Sequence, residues 1–251
     1  MPPGALSSPL LAALSPSERS RLLARAVFRW LPSGAVLHLT GDRREWVHVV
    51  AAGIVKLSAR DADGNETILG LALPGDLVGD AAVIDGLPQP TDALTATRCE
   101  ICSLDAEVLR AVLAANPAAA LTAARGLAAR LRWVGEAALE RSSGDLSAKL
   151  AGRLLDLALR LGRSERGAIE VDLPLGQADL AKLAGMCRES ACKTLRGFKS
   201  EGLVDYETRG RRLRILRPDL LERVKHEGAA AREKPPRSSS RCSPAPPKKQ
   251  K

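Results

Sequence analysis

The sequence predicts an α+β fold in three consecutive parts: an antiparallel β jelly roll, a long helix, and a winged helix-turn-helix. Three stretches carry that expectation. Between Val36 and Leu104 apolar residues alternate in short runs broken by glycines, the period of half-buried strands. From Pro117 to Arg141 apolar residues recur at threes and fours, the period of one amphipathic helix of roughly 25 residues. In Leu180–Val204, LAKLAGMCRESACKTLRGFKSEGLV, two short helical patterns flank Gly185.

Taken in order, residues 1–17 are Pro, Ser, Ala and Leu and are expected to form a disordered start. A short helix is predicted from Pro16, capped by Ser15 or Ser17, with Leu22, Leu23, Ala26 and Val27 on its apolar face. Beyond Leu31 the period becomes two: Val36, His38 and Thr40 alternate with Leu37 and Leu39. EWVHVVAAGIVKLSARDADGNETILGLALPGDLVGD then reads as a succession of short strands, with Asp61-Ala62-Asp63-Gly64-Asn65 as a hairpin signal. Gly53, Gly75, Gly79 and Gly86 mark bends between closely spaced strands, and Leu94–Leu104 adds two more, so residues 18–115 are expected to form the barrel domain.

Asn116 and Pro117 supply the cap and first turn of the long helix, residues 116–141. Its stripe of Leu121, Ala124, Leu127, Ala128, Leu131, Val134, Ala138 and Leu139 has no second strongly periodic neighbour in the chain and calls for a partner helix. Ser142-Ser143-Gly144-Asp145 breaks the pattern and opens a C-terminal domain over residues 142–227, beginning with the helix LSAKLAGRLLDLA. Gly162–Asp172 reads as a loop leading to a short strand around Ile169, and Gly176 precedes the helix pair. After Val204, DYETRGRRLRIL alternates and turns at Arg209-Gly210, a two-stranded wing carrying Arg209, Arg211, Arg212 and Arg214. Pro218–Lys225 is a closing helix, and residues 228–251 read as a disordered basic tail.

Charge separates the two halves. Through Arg141 there are 14 basic and 15 acidic residues, whereas from Ser142 onward there are 24 and 14, so the formal net charge of +9 is entirely C-terminal. That placement fits a polyanionic partner. Five scattered cysteines, an odd number, do not form a disulfide framework and fit a reducing compartment. The apolar run at Leu10 is too short for a membrane span and lacks a basic flank, so a soluble, cytoplasmic chain without membrane attachment is expected.

The helix pair carries the chemistry. Leu180, Leu183 and Ala184 share one face of the first helix, and Ala191, Leu195 and Phe198 share the inner face of the second. Arg188, Glu189, Cys192, Lys193 and Arg196 are left facing out, with Arg188 and Glu189 in the first turn, the part that reaches base edges when a helix enters the major groove. A guanidinium fork donates to O6 and N7 of guanine, and a carboxylate accepts from N4 of cytosine, each pair worth roughly 1–3 kcal/mol of discrimination. Lys193 reaches a groove edge or a phosphate, while the wing arginines position without specifying.

GMCRESACKTLRGFKSEGLV resembles the helix-turn-helix of the CRP/FNR superfamily, the cyclic-AMP receptor protein and its relatives. Its signature is a Gly, two residues, Arg-Glu-Ser/Thr, and a basic residue four positions after the Glu; Gly185, Arg188, Glu189, Ser190 and Lys193 stand at those places. Two positions depart: Cys187 stands where a Ser or Thr usually caps the helix, and Lys193 where Arg is commoner. A thiol caps a helix less well than a hydroxyl, which weakens the phosphate contact expected of Cys187. The resemblance implies base reading by Arg188, Glu189 and Lys193, and backbone contacts from Cys187, Ser190, Arg196, Arg209, Arg211 and Arg212. The turns of AGIVKL, DGNE and LPGDLVGD resemble the family's cyclic-nucleotide-binding-like barrel, and Asp145 resembles its hinge. The implied assembly is a homodimer paired along the long helix on a pseudo-palindromic site in double-stranded DNA, with RNA polymerase as a further partner.

Family members that bind cyclic AMP hold the ribose with a Gly-Glu turn, the ring phosphate with Arg-Ser or Arg-Thr, and the base with Thr-Ser on the long helix. Here Gly79-Asp80, Pro90-Thr91 and Val134-Gly135 stand at those places. A buried phosphate without a cationic partner is costly, so cyclic AMP is expected to bind weakly or not at all unless an arginine such as Arg98 substitutes. Iron-sulfur members use an N-terminal cysteine cluster plus a strand cysteine like Cys99, but no cysteine precedes Cys99, so no Fe-S cluster is expected. Cys99 and Cys102 face opposite sides of their strand and read as apolar fillers, while Cys187 and Cys192 are the more exposed thiols. His38 and His48 read as structural strand histidines, so haem is not expected. The alternative, a small-molecule-binding or enzymatic cupin-like barrel, needs several histidines and a carboxylate converging on a metal, and only His38 and His48 lie in the barrel. The expected function is that of a DNA-binding transcription regulator responding to a signal other than cyclic AMP, and not an enzyme.

Overall fold

The computed structural model describes residues 8–43, 45–142, 145–165, 167–172, 175–207 and 212–227. The N-terminal strands form two four-stranded antiparallel sheets. One holds β1 (Val27–Leu31), β8 (Cys99–Asp105), β3 (Trp46–Ala52) and β6 (Leu77–Val78) in that spatial order. The other holds β2 (Val36–His38), β7 (Asp92–Thr95), β4 (Val55–Arg60) and β5 (Glu66–Ala72). Alternation explains the core: Val50, Val55, Val78, Ala93, Cys99 and Ile101 pack together in one buried cluster. Residues of the opposite strand faces, Val47, Val49, Cys102 and Leu104, pack in another cluster against helices. Cys99 and Cys102 therefore do lie in different clusters, on opposite faces of β8.

The start of the chain corrects the expectation of disorder as far as it is described. Pro9–Ala12 forms helix α1 and Pro16–Leu23 forms α2, and Leu10, Leu11 and Leu14 are at most 4% exposed. These leucines join the cluster that contains Ala119 and Ala123 of the long helix, burial that offsets the cost of ordering a Pro- and Ser-rich segment. Ser15 and Glu18 make a reciprocal capping box at the start of α2. The helix stops before Val27, because Val27–Leu31 pairs antiparallel with β8, Val27 opposite Ser103. Residues 1–7 and the tail 228–251 lie outside the described residues.

After β6 a short helix α3 (Asp80–Asp85) precedes β7, and α4 (Ala106–Ala115) follows β8, capped by the Asp105 carboxylate on the backbone N–H groups of Glu107 and Val108. The long helix α5 spans Pro117–Ser142, 26 residues, and Asn116 Oδ1 accepts from Ala119 N at 3.0 Å. Its small residues Ala119 and Ala123 face its own barrel domain. Leu121, Leu131 and Leu139 of the expected partner stripe remain 52%, 73% and 74% exposed.

Asp145 caps α6 (Leu146–Leu161), accepting from Ser147 N at 2.7 Å and Ala148 N at 3.1 Å. Next come β9 (Gly162–Glu165), β10 (Ala168–Asp172), α7 (Gln177–Ala184), α8 (Arg188–Ser200), β11 (Val204–Glu207), β12 (Arg212–Ile215) and α9 (Pro218–Glu227). The expected two-stranded wing forms, β11 pairing antiparallel with β12 from Val204 opposite Ile215 to Glu207 opposite Arg212, but it continues through β10 into a four-stranded sheet ordered β11-β12-β10-β9, and the stretch after Gly162, expected as a loop, supplies the strand β9. β9 has the sequence GRSE, without apolar alternation, and owes its conformation to pairing with β10.

The two domains share apolar surface. Ile54, Ile68 and Leu71 of the barrel belong to the same buried cluster as Leu180, Leu183 and Ala184 of α7. Polar links border it: Lys56 Nζ lies 3.0 Å from Asp179, Lys182 Nζ 2.5 Å from Glu66, and Arg160 donates to Leu71 O at 2.9 Å.

Candidate functional site

Helices α7 and α8 meet as the spacing requires. Gly185, with φ 63° and ψ 42°, occupies the left-handed conformation that closes α7. Leu180, Leu183, Ala184, Ala191, Leu195 and Phe198 are all buried, Phe198 completely. That burial turns Arg188, Glu189, Lys193 and Arg196 to solvent. The exposed face thus offers three cations and one carboxylate, with the Arg-Glu pair at its leading end. Ser190 is half-buried.

Cys187 occupies the N-cap of α8 without a side-chain cap bond. Its thiol donates to Ser190 Oγ at 3.1 Å, and hydrogen bonding with Ser190 holds its pKa below the ordinary thiol value. Cys192, expected to face outward, is half-buried and donates to Gln177 Oε1 at 3.0 Å, between α7 and α8. Burial pushes the Cys102 thiol up to about 11.

Of the wing arginines, Arg212 is exposed and 3.9 Å from Asp172, whereas Arg214 faces Glu170 at 3.1 Å, inside the sheet's own pairing. Arg209 and Arg211, with the turn between the strands, lie outside the described residues.

A second feature sits between the barrel, α5 and α6: a cavity of about 720 Å³. Gly79, Asp80, Pro90, Thr91 and Val134 line it, but Gly135 does not. Gly79 has φ 85°, and a Cβ there would stand 3.0 Å from Gln89 Nε2 and 3.3 Å from Trp46 O, so glycine suits both the turn and the space. Asp80 is 3% exposed and pairs with Arg130, whose Nη1 also donates to Leu77 O at 2.7 Å. Burial raises the Asp80 pKa against the opposing pull of that guanidinium.

Arg130 is the cavity residue that sequence reasoning missed. It lies one helical turn before Val134 on α5, and that i, i+4 relation was the available signal. Arg98, the arginine named as a substitute, stacks over the Trp30 ring at 4.6 Å and does not line the cavity.

His38 lines the cavity and stacks at 6.3 Å on His48, whose Nδ1 is 2.9 Å from Ser103 Oγ. Burial lowers both pKa values, that of His48 to about 4, so both rings are neutral at pH 7. From the C-terminal domain, α6 contributes Asp156, Leu159 and Arg160 to the wall. Trp133 Nε1 donates to Asp156, and Arg160 is 3.3 Å from Asp76. Among the described residues no group of three or more His, Cys, Asp or Glu side chains is placed to hold a metal ion, and no helix is long and apolar enough to cross a membrane.

A β sandwich joined through one long helix to a winged helix-turn-helix with an outward Arg-Glu pair defines a DNA-binding regulator with an N-terminal sensor-type domain. Comparison with known proteins narrows the class. Residues 28–116 match the cyclic nucleotide-binding domain and residues 148–224 the Crp-like helix-turn-helix domain. The chain is 31% identical over 176 residues to the CRP-like cAMP-activated global transcriptional regulator of Mycobacterium tuberculosis, covering 70% of this chain and 79% of that one. It is 31% identical over 197 residues to the cyclic AMP receptor protein of Thermus thermophilus, covering 78% and 88%. A solved CRP-family transcriptional regulator, also of Thermus thermophilus, superposes with a TM-score of 0.65 at 26% identity, over 79% of this chain and 96% of that one. FixK2 from Bradyrhizobium japonicum shares the fold, with a TM-score of 0.70 at 19% identity over 79% and 96%. The chain belongs to the CRP/FNR family of transcription regulators.

Proposed function

We propose that two copies of this chain pair along α5 and read a pseudo-palindromic duplex, one α8 in each of two successive major grooves, under control of a small molecule other than cyclic AMP. The outward placement of Arg188 and Glu189 in the first turn of α8 carries the reading, because these are the groups that tell G·C from the other base pairs. Lys193 extends the contact, while Cys187, Ser190, Arg196 and Arg212 meet the backbone together with Arg209 and Arg211. The exposed leucines of α5 support pairing of two copies, since a lone helix leaves that surface in water. RNA polymerase is the further protein partner of this reading.

The names of the Mycobacterium tuberculosis and Thermus thermophilus relatives point to cyclic AMP. Against it here stand Pro90 at the phosphate position and the engagement of Arg130 by both Asp80 and the Leu77 carbonyl. A phosphate entering the cavity gains Arg130 only by competing with the buried Asp80 carboxylate, and Arg160 only by competing with Asp76 and the Leu71 carbonyl.

The experiment is selection of bound duplexes from a random library, followed by the same selection with Arg188→Ala and Glu189→Ala. Each variant is expected to lose about 1–3 kcal/mol on the selected site and to relax specificity at one base pair per half-site. Equal weakening on every sequence refutes base reading by α8.

A further inference from the structure

Three side-chain atoms in the described part of the cavity wall are buried without a hydrogen-bond partner: Ser8 Oγ, Gln89 Oε1 and His38 Nδ1, the last two side by side. Gln89 is 3% and His38 7% exposed, and both crowd the same glycine, since a Cβ on Gly79 would stand 3.0 Å from Gln89 Nε2 and 3.4 Å from His38 Cε1. A buried acceptor left unmade is costly, and natural interiors rarely tolerate one without an occupant to meet it. The cavity beside them has the volume of sites that enclose a small organic molecule.

The charges of the wall describe that molecule. Its carboxylates are Asp76, Asp80 and Asp156, and its guanidinium groups are Arg130 and Arg160. Arg130 is held by Asp80 and the Leu77 carbonyl, and Arg160 by Asp76 and the Leu71 carbonyl. An anion finds no uncommitted counter-ion among these wall residues, and His38, with its pKa lowered by burial, adds no positive charge at pH 7. Much of the remaining wall is apolar, with Leu57, Leu69, Val134 and Leu159 contributing.

We propose that the cavity takes an uncharged, mainly apolar molecule bearing a hydroxyl or N–H that donates to Gln89 Oε1, with His38 Nδ1 as second polar partner and Leu159 of α6 against its apolar body. The inference rests on the reading that this cavity, and not a cyclic-nucleotide site, is the sensor. It ties that sensor directly to the DNA-binding domain, because α6 is that domain's first helix.

Three probes with one apolar body test it by calorimetry on the full chain: 2-naphthol, 2-methoxynaphthalene, which lacks the donor, and 2-naphthoate, which is anionic at neutral pH. Cyclic AMP is titrated in parallel. 2-Naphthol is expected to bind about tenfold or more tighter than either of the other two naphthalenes. Gln89→Met is expected to erase the advantage of 2-naphthol over 2-methoxynaphthalene while leaving the latter bound. The comparison within the wild-type protein stands even if that variant does not fold. Equal binding of the first two probes, preference for 2-naphthoate, or no binding by any naphthalene overturns the proposed ligand class. Micromolar binding of cyclic AMP instead overturns the underlying reading of the effector.

Discussion

Glu66 on β5 sits between cations of both domains, 2.5 Å from Lys182 Nζ on α7 and 3.9 Å from Lys56 Nζ on β4, and Lys56 in turn is 3.0 Å from Asp179 on α7. Four alternating charges therefore fasten the DNA-binding domain to the barrel beside Ile68 and Leu71. Glu66→Gln, Lys182→Met and the double variant form a thermodynamic cycle for the Glu66–Lys182 pair. Exposed pairs contribute about 0–1 kcal/mol, and breaking a fully buried one costs about 3–5 kcal/mol. The Glu66 and Lys182 side chains are 16% and 38% exposed, between those limits, so a coupling energy of about 1–2 kcal/mol is expected. Urea unfolding supplies the energies, and amide hydrogen exchange in β5 and α7 reports whether the domains stay docked. The sign of the pH dependence follows from the same carboxylate. Burial pushes its pKa up, but Lys182 and Lys56 together hold it below the ordinary value. A depressed native pKa stabilises fully above the free carboxylate's pKa of about 4.3, and that stabilisation is lost as pH falls through the native value. Docking should thus hold at pH 7 and loosen in acid below about pH 4, a loosening that Glu66→Gln removes. Additivity of the two single variants within about 0.3 kcal/mol would refute the fastening.

Leu131→Glu places a charge on the exposed stripe of α5 and should convert a sedimenting dimer into a monomer that keeps its helical circular dichroism, with an unfolding midpoint that no longer rises with protein concentration; a wild-type protein that is monomeric at micromolar concentration rejects the pairing. Among the four cysteines of the described residues, iodoacetamide should label Cys187 first, being exposed with a lowered pKa, and Cys102 last, being buried with a pKa pushed up to about 11. Peptide mapping that finds the reverse order contradicts the environments described for these thiols.

Local rules were enough where one local cause acts. Gly185 between two helical apolar patterns located the turn, and the three-four spacing after Asn116 marked α5 to within a residue of its end. Elements held by distant partners were harder to read. Leu10, Leu11 and Leu14 lie among prolines and serines, and only the alanine face of α5, more than a hundred positions later, makes them core. Ala26 and Val27 completed an apolar helix face in the sequence, yet the pairing of Val27–Leu31 with β8 puts Val27 in a strand. GRSE at Gly162–Glu165 has no strand pattern of its own. Of the effector positions named from the sequence, Gly79, Asp80, Pro90, Thr91 and Val134 line the cavity and Gly135 does not. Arg130 escaped because its meaning depends on the carboxylate of Asp80, fifty positions away in the chain.

The sharing of one wall by the cavity and α6 has a thermodynamic corollary. An occupant whose affinity depends on where Leu159 stands is linked to whatever else moves α6, and linkage runs both ways. Duplex captured at α8 must then alter the occupant's dissociation constant by the same factor as the occupant alters that of the duplex. For the proposed occupant, promoter DNA would in that sense be a co-effector, and small-molecule titrations run with and without it would measure one and the same coupling from opposite ends.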